Sequence, residues 1–159
     1  MVQLTASLEA PLRILLGLLA GVVATRWMDV VMARLPEGET PPFVASGVLT
    51  EQAPDTAPAR LAAVVHHVAG WLTGSLFVTL LLLTEGVLGG SSAVGYLVTA
   101  AALFVLMVGF FVVVVLPRPG LSSDRRSQVG RDWAISAAAY LLALVPLVWL
   151  GWTAVTQVG

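Results

Sequence analysis

The chain has 159 residues, 58% of them hydrophobic and 11% charged, with a net charge near −1. Water-soluble domains carry about 25% charged residues, so a soluble fold is excluded. All basic residues are arginine and there is no cysteine. That rules out disulfides, thiolate zinc sites, iron–sulfur clusters and thiol redox chemistry from this chain alone, and with them a quinone-linked disulfide oxidoreductase. No basic stripe exists for nucleic acid.

The few charges are segregated. Residues 61–84, 86–117 and 133–159 hold none, and each run exceeds the roughly 20 apolar residues that a bilayer span needs. The expected fold class is an all-α membrane protein: one domain over residues 1–159, a four-transmembrane-helix bundle in the cell membrane. The first helix is predicted at about 11–35. Pro11 suits its first turn, where a missing N–H costs nothing. Its uncharged part, 14–25, also fits the core of a cleaved signal peptide. Apolar residues continue through Trp27, Met28, Val30, Val31 and Met32, which favours a retained helix. The second helix is predicted at about 59–84, the third at 92–116 and the fourth at 132–153. Pro117, Arg118, Pro119 and Gly120 form a stop signal for the third.

Four spans place both termini and the 85–91 loop on one side of the membrane. Loops 36–58 and 117–131 then lie on the other. Arg34, Arg60, Arg118, Arg125, Arg126 and Arg131 flank or occupy that second side, against Arg13 on the first. The positive-inside rule makes these two loops cytoplasmic and puts both termini outside. Trp27 and Trp133 fall toward the inner interface, Trp149 and Trp152 toward the outer one. The longer loop reads as acidic and solvated. Its apolar run 43–49 fits a short interfacial helix or a re-entrant lid.

Helices associate in lipid through close packing at small residues. Gly17 and Gly21 on the first helix, and Gly70 and Gly74 on the second, form GxxxG patterns. At about 100° per residue, Gly17, Gly21, Thr25, Met28 and Met32 share one stripe, and Ala63, His66, Gly70, Gly74 and Phe77 another. Gly95, Thr99 and Ala102, and Ser136, Ala139 and Ala143, offer similar surfaces on the later helices. All these stripes are expected to face protein.

Arg26 and Asp29 lie within the first helix at a spacing that lets them pair. His66 and His67 lie in the second. Asp29 and His66 each sit six residues from the same interface, roughly 9 Å deep at about 1.5 Å per residue. Antiparallel neighbours would bring them level. Arg26, Asp29, His66 and His67 are therefore the candidate intramembrane polar site. One reading is a proton or anion step on histidine. The other is structural: Arg26 snorkels, Asp29 neutralises it, and a histidine pins the helix pair. Adjacent histidines point about 100° apart and cannot ligate both faces of one haem. A metal site of Asp plus His lacks ligands, so no cofactor is expected. Glu85, ending the second helix, and Asp132, opening the fourth, read as structural.

Gly21, Ala24, Thr25, Met28 and Asp29, followed by His67, Gly70, Trp71 and Gly74, resemble the opening of a group of small uncharacterised integral membrane proteins. That group is frequent in haloarchaea and also found in bacteria. Arg26 stands where it carries an apolar residue. The resemblance covers about half the chain and implies a four-helix membrane fold without bringing an activity.

No catalytic signature is present, so the leading expectation is a non-enzymatic protein in contact with the lipid bilayer. It would act as a small subunit, assembly partner or scaffold, in a membrane complex or by self-association. The alternatives are a small proton-coupled transporter or channel using Asp29 and His66, and a haem- or quinone-binding anchor of a respiratory enzyme.

Overall fold

The computed structural model describes residues 2–118 and 120–158. Among them the regular structure is helical: α1 (Val2–Met32), α2 (Thr40–Thr50), a 3-10 turn at Pro54–Thr56, α3 (Ala59–Leu88), α4 (Ala93–Phe110) running into a π-helical turn at Phe111–Val115, and α5 (Ser123–Val158). Pro119, part of the predicted stop signal, lies outside the described residues.

Four of these helices are long and apolar enough to cross a membrane: Leu8–Met32, Ala59–Leu88, Ala93–Val115 and Ser123–Gln157. Their outward faces are apolar. On α1 the exposed large side chains are Leu8, Leu12, Leu15, Leu19, Val23, Trp27 and Val30, one stripe at intervals of three and four residues. Water would penalise such a surface by tens of calories per Å²; hydrocarbon does not. Membrane location follows from this composition.

Several boundaries differ from expectation. α1 begins nine residues before Pro11, which sits inside the helix, so its ring displaces a backbone bond rather than capping an end. The predicted loop 117–131 is helical from Ser123 onward. The extension lengthens α5 by more than two turns, held by polar bonds from Arg125 and Asp132 to Glu37, so Asp132 lies within the helix rather than at its start. Loop 36–58 contains α2, which carries Pro41 in its first turn and is capped by Glu51 in the left-handed region (φ 56°). Its apolar run therefore forms a helix. α3 continues to Leu88 and stops at Gly89, whose φ of 78° suits glycine. Ser92 caps α4 by accepting the Gly95 N–H at 3.1 Å.

α1 packs on α3 and α5, and α4 packs on the same two helices. The main core joins all four, with Ala24, Met28, Phe77, Leu81, Leu103 and Tyr140 among its buried members. A second cluster, Val44, Phe111, Leu116 and Val129, seats α2 against the π turn and α5. Among the predicted stripes, Ala63 and Ala102 are instead exposed. Leu103, one residue on, carries the inward face of α4.

The four glycines set the α1–α3 distance. A Cβ on Gly17 would lie 2.5 Å from the Gly74 carbonyl oxygen, and one on Gly21 would lie 2.8 Å from that of Trp71. A Cβ on Gly70 would strike Thr25, and one on Gly74 would strike the Gly17 backbone. The obstacles at Gly17, Gly21 and Gly74 are backbone atoms, which cannot rotate away. Thr25 is free to sit against Gly70 because its hydroxyl donates to the Gly21 carbonyl at 2.7 Å.

Candidate functional site

The glycine contact brings the predicted polar residues into register. His66 Nε2 lies 2.7 Å from Asp29 Oδ1. A carboxylate only accepts, so Nε2–H is the donor. His67 Nδ1 lies 2.8 Å from the Ala63 carbonyl oxygen and donates to it. Its Nε2 is then an acceptor, and Arg26 Nη1 donates to it at 3.0 Å. The same Nη1 donates to Asp29 Oδ2 at 3.4 Å. Arg26, Asp29, His66 and His67 therefore form one network across α1 and α3. The Arg26 side chain is 67% exposed and that of Asp29 30%, while the His66 side chain is 8% exposed. The network runs from surface to interior.

Two cavities meet at His66. One, of about 340 Å³, lies under α2 and is lined by Asp29, Met32, Glu39, Phe43, Ala62 and His66. The other, of about 260 Å³, is mainly apolar; Met28, His66, Met107, Phe111, Trp133 and Tyr140 form part of its wall. His66 and Pro42 border both. The apolar cavity lies between α3, which contributes Val65, Ala69 and Thr73, and the end of α4 with its π turn, which contributes Met107, Phe110 and Val115, with Pro41, Pro42 and Ala45 of α2 also on its wall. Near their shared turn α3 and α4 are joined by the Thr84–Thr99 hydroxyl bond of 3.0 Å.

The polar groups around the apolar cavity are tied to the backbone. The Tyr140 hydroxyl donates to the Gly70 carbonyl at 2.6 Å, and the Trp133 indole N–H donates to the Met107 carbonyl at 3.3 Å. Trp133 also packs on Phe111, with ring centroids 4.8 Å apart. It therefore sits between helices.

For a metal, Asp29 with the two histidines offers too few groups: among the described residues no cluster of three His, Asp or Glu is arranged to hold one. The imidazole planes stand at 82° with centroids 5.2 Å apart, so His66 and His67 cannot clamp one planar ring from opposite sides.

Two further polar sites escaped sequence reasoning. Arg13 Nη1 and Nη2 donate to Glu85 Oε2 and Oε1 at 2.6 and 2.8 Å. Both side chains are buried, and the guanidinium lies 5.0 Å from the centroid of the Trp152 ring. Arg13 is thus not a free flanking charge, and Trp152 faces protein. A usable signal existed. The antiparallel register that levels Asp29 with His66 also levels Gly21 with Gly74, and it brings Arg13 within one turn of Glu85.

At the other end of the molecule, Asp132 is fully buried and accepts the Glu37 backbone N–H at 2.9 Å. Arg125 donates to Glu37 at 2.9 Å and to both oxygens of Asp55 at 3.0 Å. Hydrogen bonds and charge from Arg125 hold the Asp55 carboxyl below its ordinary value of 3.8. These bonds tie the connections on either side of α2 to α5, and so hold α2 over the cavities.

Comparison with known proteins adds no assignment: no family model matches the chain, and no curated protein or solved structure matches it.

Proposed function

We propose that this chain is a small proton-coupled membrane transporter or channel that works at the Asp29–His66 pair. It spans the bilayer four times as a helical bundle, with both termini outside and α2 on the cytoplasmic side. That orientation rests on the arginine distribution. The observation carrying the reading is that His66, hydrogen-bonded to Asp29, borders both cavities. A histidine so placed passes a proton between a cavity with carboxylates and a largely apolar one. Asp29 orients the ring, leaving Nδ1 as the second proton-carrying atom. Ionisable groups held within a span are costly, and by default they mark proton or solute paths. The test is proton entry into liposomes under an imposed gradient, followed with an internal pH dye. Wild-type protein should admit protons faster than empty liposomes. Asp29→Asn and His66→Gln should lose that excess while keeping their melting temperature. Equal rates in all three proteins would refute the reading.

The second reading is a small subunit or assembly partner without chemistry of its own. It is favoured by the outer face of α4, where Val94, Leu97, Val98, Val105, Leu106 and Phe110 are all exposed; a neighbouring subunit covers such a face as well as lipid does. Isolation from native membranes in mild detergent separates the two. A stoichiometric larger partner supports this second reading, and a particle of this chain alone opposes it.

A further inference from the structure

α2 stands beside the Asp29–His66 pair and packs on α3. Glu39 at its N-cap, Pro42 and Phe43 share the lining of the cavity of about 340 Å³ with Asp29, Ala62 and His66. Pro41, Pro42 and Ala45 lie in the wall of the apolar cavity. Ala62 is only 1% exposed although it lines a cavity. A displacement of α2 would therefore open both cavities where they meet at His66.

The apolar hold on this helix is light. Its buried residues are Pro41, Val44, Ser46 and Gly47, and of these Val44 joins an apolar cluster. α3, by contrast, buries Phe77, Val78 and Leu81 in the main core. Segments with little buried apolar surface open locally at the least cost. The chain leaves α2 through Glu51 at a φ of 56°, a left-handed conformation that residues with a Cβ seldom adopt. Polar bonds supply the rest of the hold, and they converge on one side chain. Arg125 donates from Nε to Glu37, just before α2, and from Nη1 and Nη2 to the two oxygens of Asp55, beyond its far end. The Glu37 side has a second anchor, because the buried Asp132 carboxylate accepts its N–H. On the far side, among the described residues, the hydrogen bonds between α5 and the connection run through Arg125 and Asp55. The Asp55 side chain is 70% exposed, so water replaces Arg125 there at little cost.

We propose that α2 is a lid over the Asp29–His66 pair, held shut by Arg125 as a latch between its two flanking connections, and that release of Asp55 from the latch opens the pair to water. The inference rests on the reading of Asp29 and His66 as the working pair, and adds how access to them is controlled.

The test exploits the absence of cysteine. Ala62→Cys places a single thiol in the cavity lining, and a water-borne trimethylammonium methanethiosulfonate reports how fast solvent reaches it in the full chain in phosphatidylcholine nanodiscs. With the latch intact, labelling should be slow. Asp55→Asn on the same background should speed it about two- to fivefold, the shift in open population that loss of an exposed ion pair allows. Arg125→Gln, which frees Glu37 as well, should speed it further. Should Arg125→Gln fail to fold, Asp55→Asn alone decides. Ala20→Cys, buried in the main core, serves as control and should label no faster when Asp55 is changed. An unchanged rate at position 62 in the folded Asp55→Asn variant overturns the proposal. So does an equal rise at position 20, which would mean that the whole bundle has loosened. Labelling is measured without a proton gradient, so a lid that does not open and a pair that carries no protons are separate results.

Discussion

The same pair of helices, α1 and α3, carries two polar junctions of opposite character. At one end Arg13 and Glu85 form a two-bond ion pair, both side chains about 90% buried or more, with Trp152 against the guanidinium. At the other, Asp29 accepts from His66 and Arg26, is 30% exposed, and lines one of two cavities that meet at His66. The first junction is closed: its charges meet each other in a fork geometry that satisfies both groups. The second is open: Asp29 accepts from His66 at 2.7 Å and only distantly from Arg26 at 3.4 Å, which leaves carboxylate acceptor capacity unused. The contrast shows that a charge inside a membrane helix is not by itself a sign of function. What separates the two is whether partners and packing exhaust the hydrogen-bonding capacity of the group.

The largest expected effect breaks the closed junction. Glu85→Ala leaves Arg13 buried without its partner and should cost about 3–5 kcal/mol. Replacing both residues with leucine should restore much of this. Thermal melting in detergent reads both, and a loss no larger than that of Asp29→Ala would dissolve the distinction between the junctions.

Next comes the contact that holds the junctions in register. Gly74→Val forces side-chain atoms into the Gly17 and Gly21 backbone. Overpacking of this kind costs about 1–3 kcal/mol, and here it should also part Asp29 from His66. Gly86 has nothing within 4 Å of an added Cβ, so Gly86→Ala should be neutral or stabilising by up to about 1 kcal/mol. A Gly74→Val variant as stable as wild type would mean that close approach at these glycines does not hold the helix pair.

At the open junction Asp29→Asn should move stability by less than about 1 kcal/mol, as expected of a partly exposed pair, while abolishing proton entry into liposomes. A large drop in melting temperature without a change in flux would make this junction structural, like its counterpart.

The smallest effect concerns the bonds that hold α2 in place. Arg125 depresses the Asp55 carboxyl in the folded state, so the pair stabilises the fold above the unfolded value. That contribution is lost as pH falls through the folded value. Asp55→Asn should therefore lower the melting temperature slightly near pH 7. The difference from wild type should shrink as pH falls below the ordinary value of 3.8 and vanish once the carboxyl is protonated in the folded state as well. A difference that persists in acid would assign the effect to packing.

Much of this was legible beforehand, for reasons that particular residues make plain. Hydrocarbon demands long uncharged runs, so the spans could be read to within a few residues at Ala59, where Pro58 precedes the helix. Gly17, Gly21, Gly70 and Gly74 were legible as a contact because little else in an apolar helix lets backbones touch. That contact fixed the depth of Asp29 against His66. The start of α5 was not legible. Residues 123–131 are polar enough to read as loop, yet they form helix: Arg125 and Asp132 find partners in the chain around α2, and Gln128 donates to Asp132 one turn on. Trp133 and Trp152 looked like interface anchors by position alone; their packing against Phe111 and Arg13 depends on α4 and α1.

The sequence by itself determined that the chain is helical, that four segments are apolar enough to cross a membrane, and that the glycines of α1 and α3 turn toward each other. Those properties depend on local composition and on a period of about 3.6 residues, which any single segment displays. Only the tertiary structure decided that Arg13 meets Glu85, and that α2 packs where two cavities share His66. These outcomes depend on distances between segments far apart in the chain, set by backbone contacts at a few glycines and by polar bonds from α5, and no local pattern encodes them.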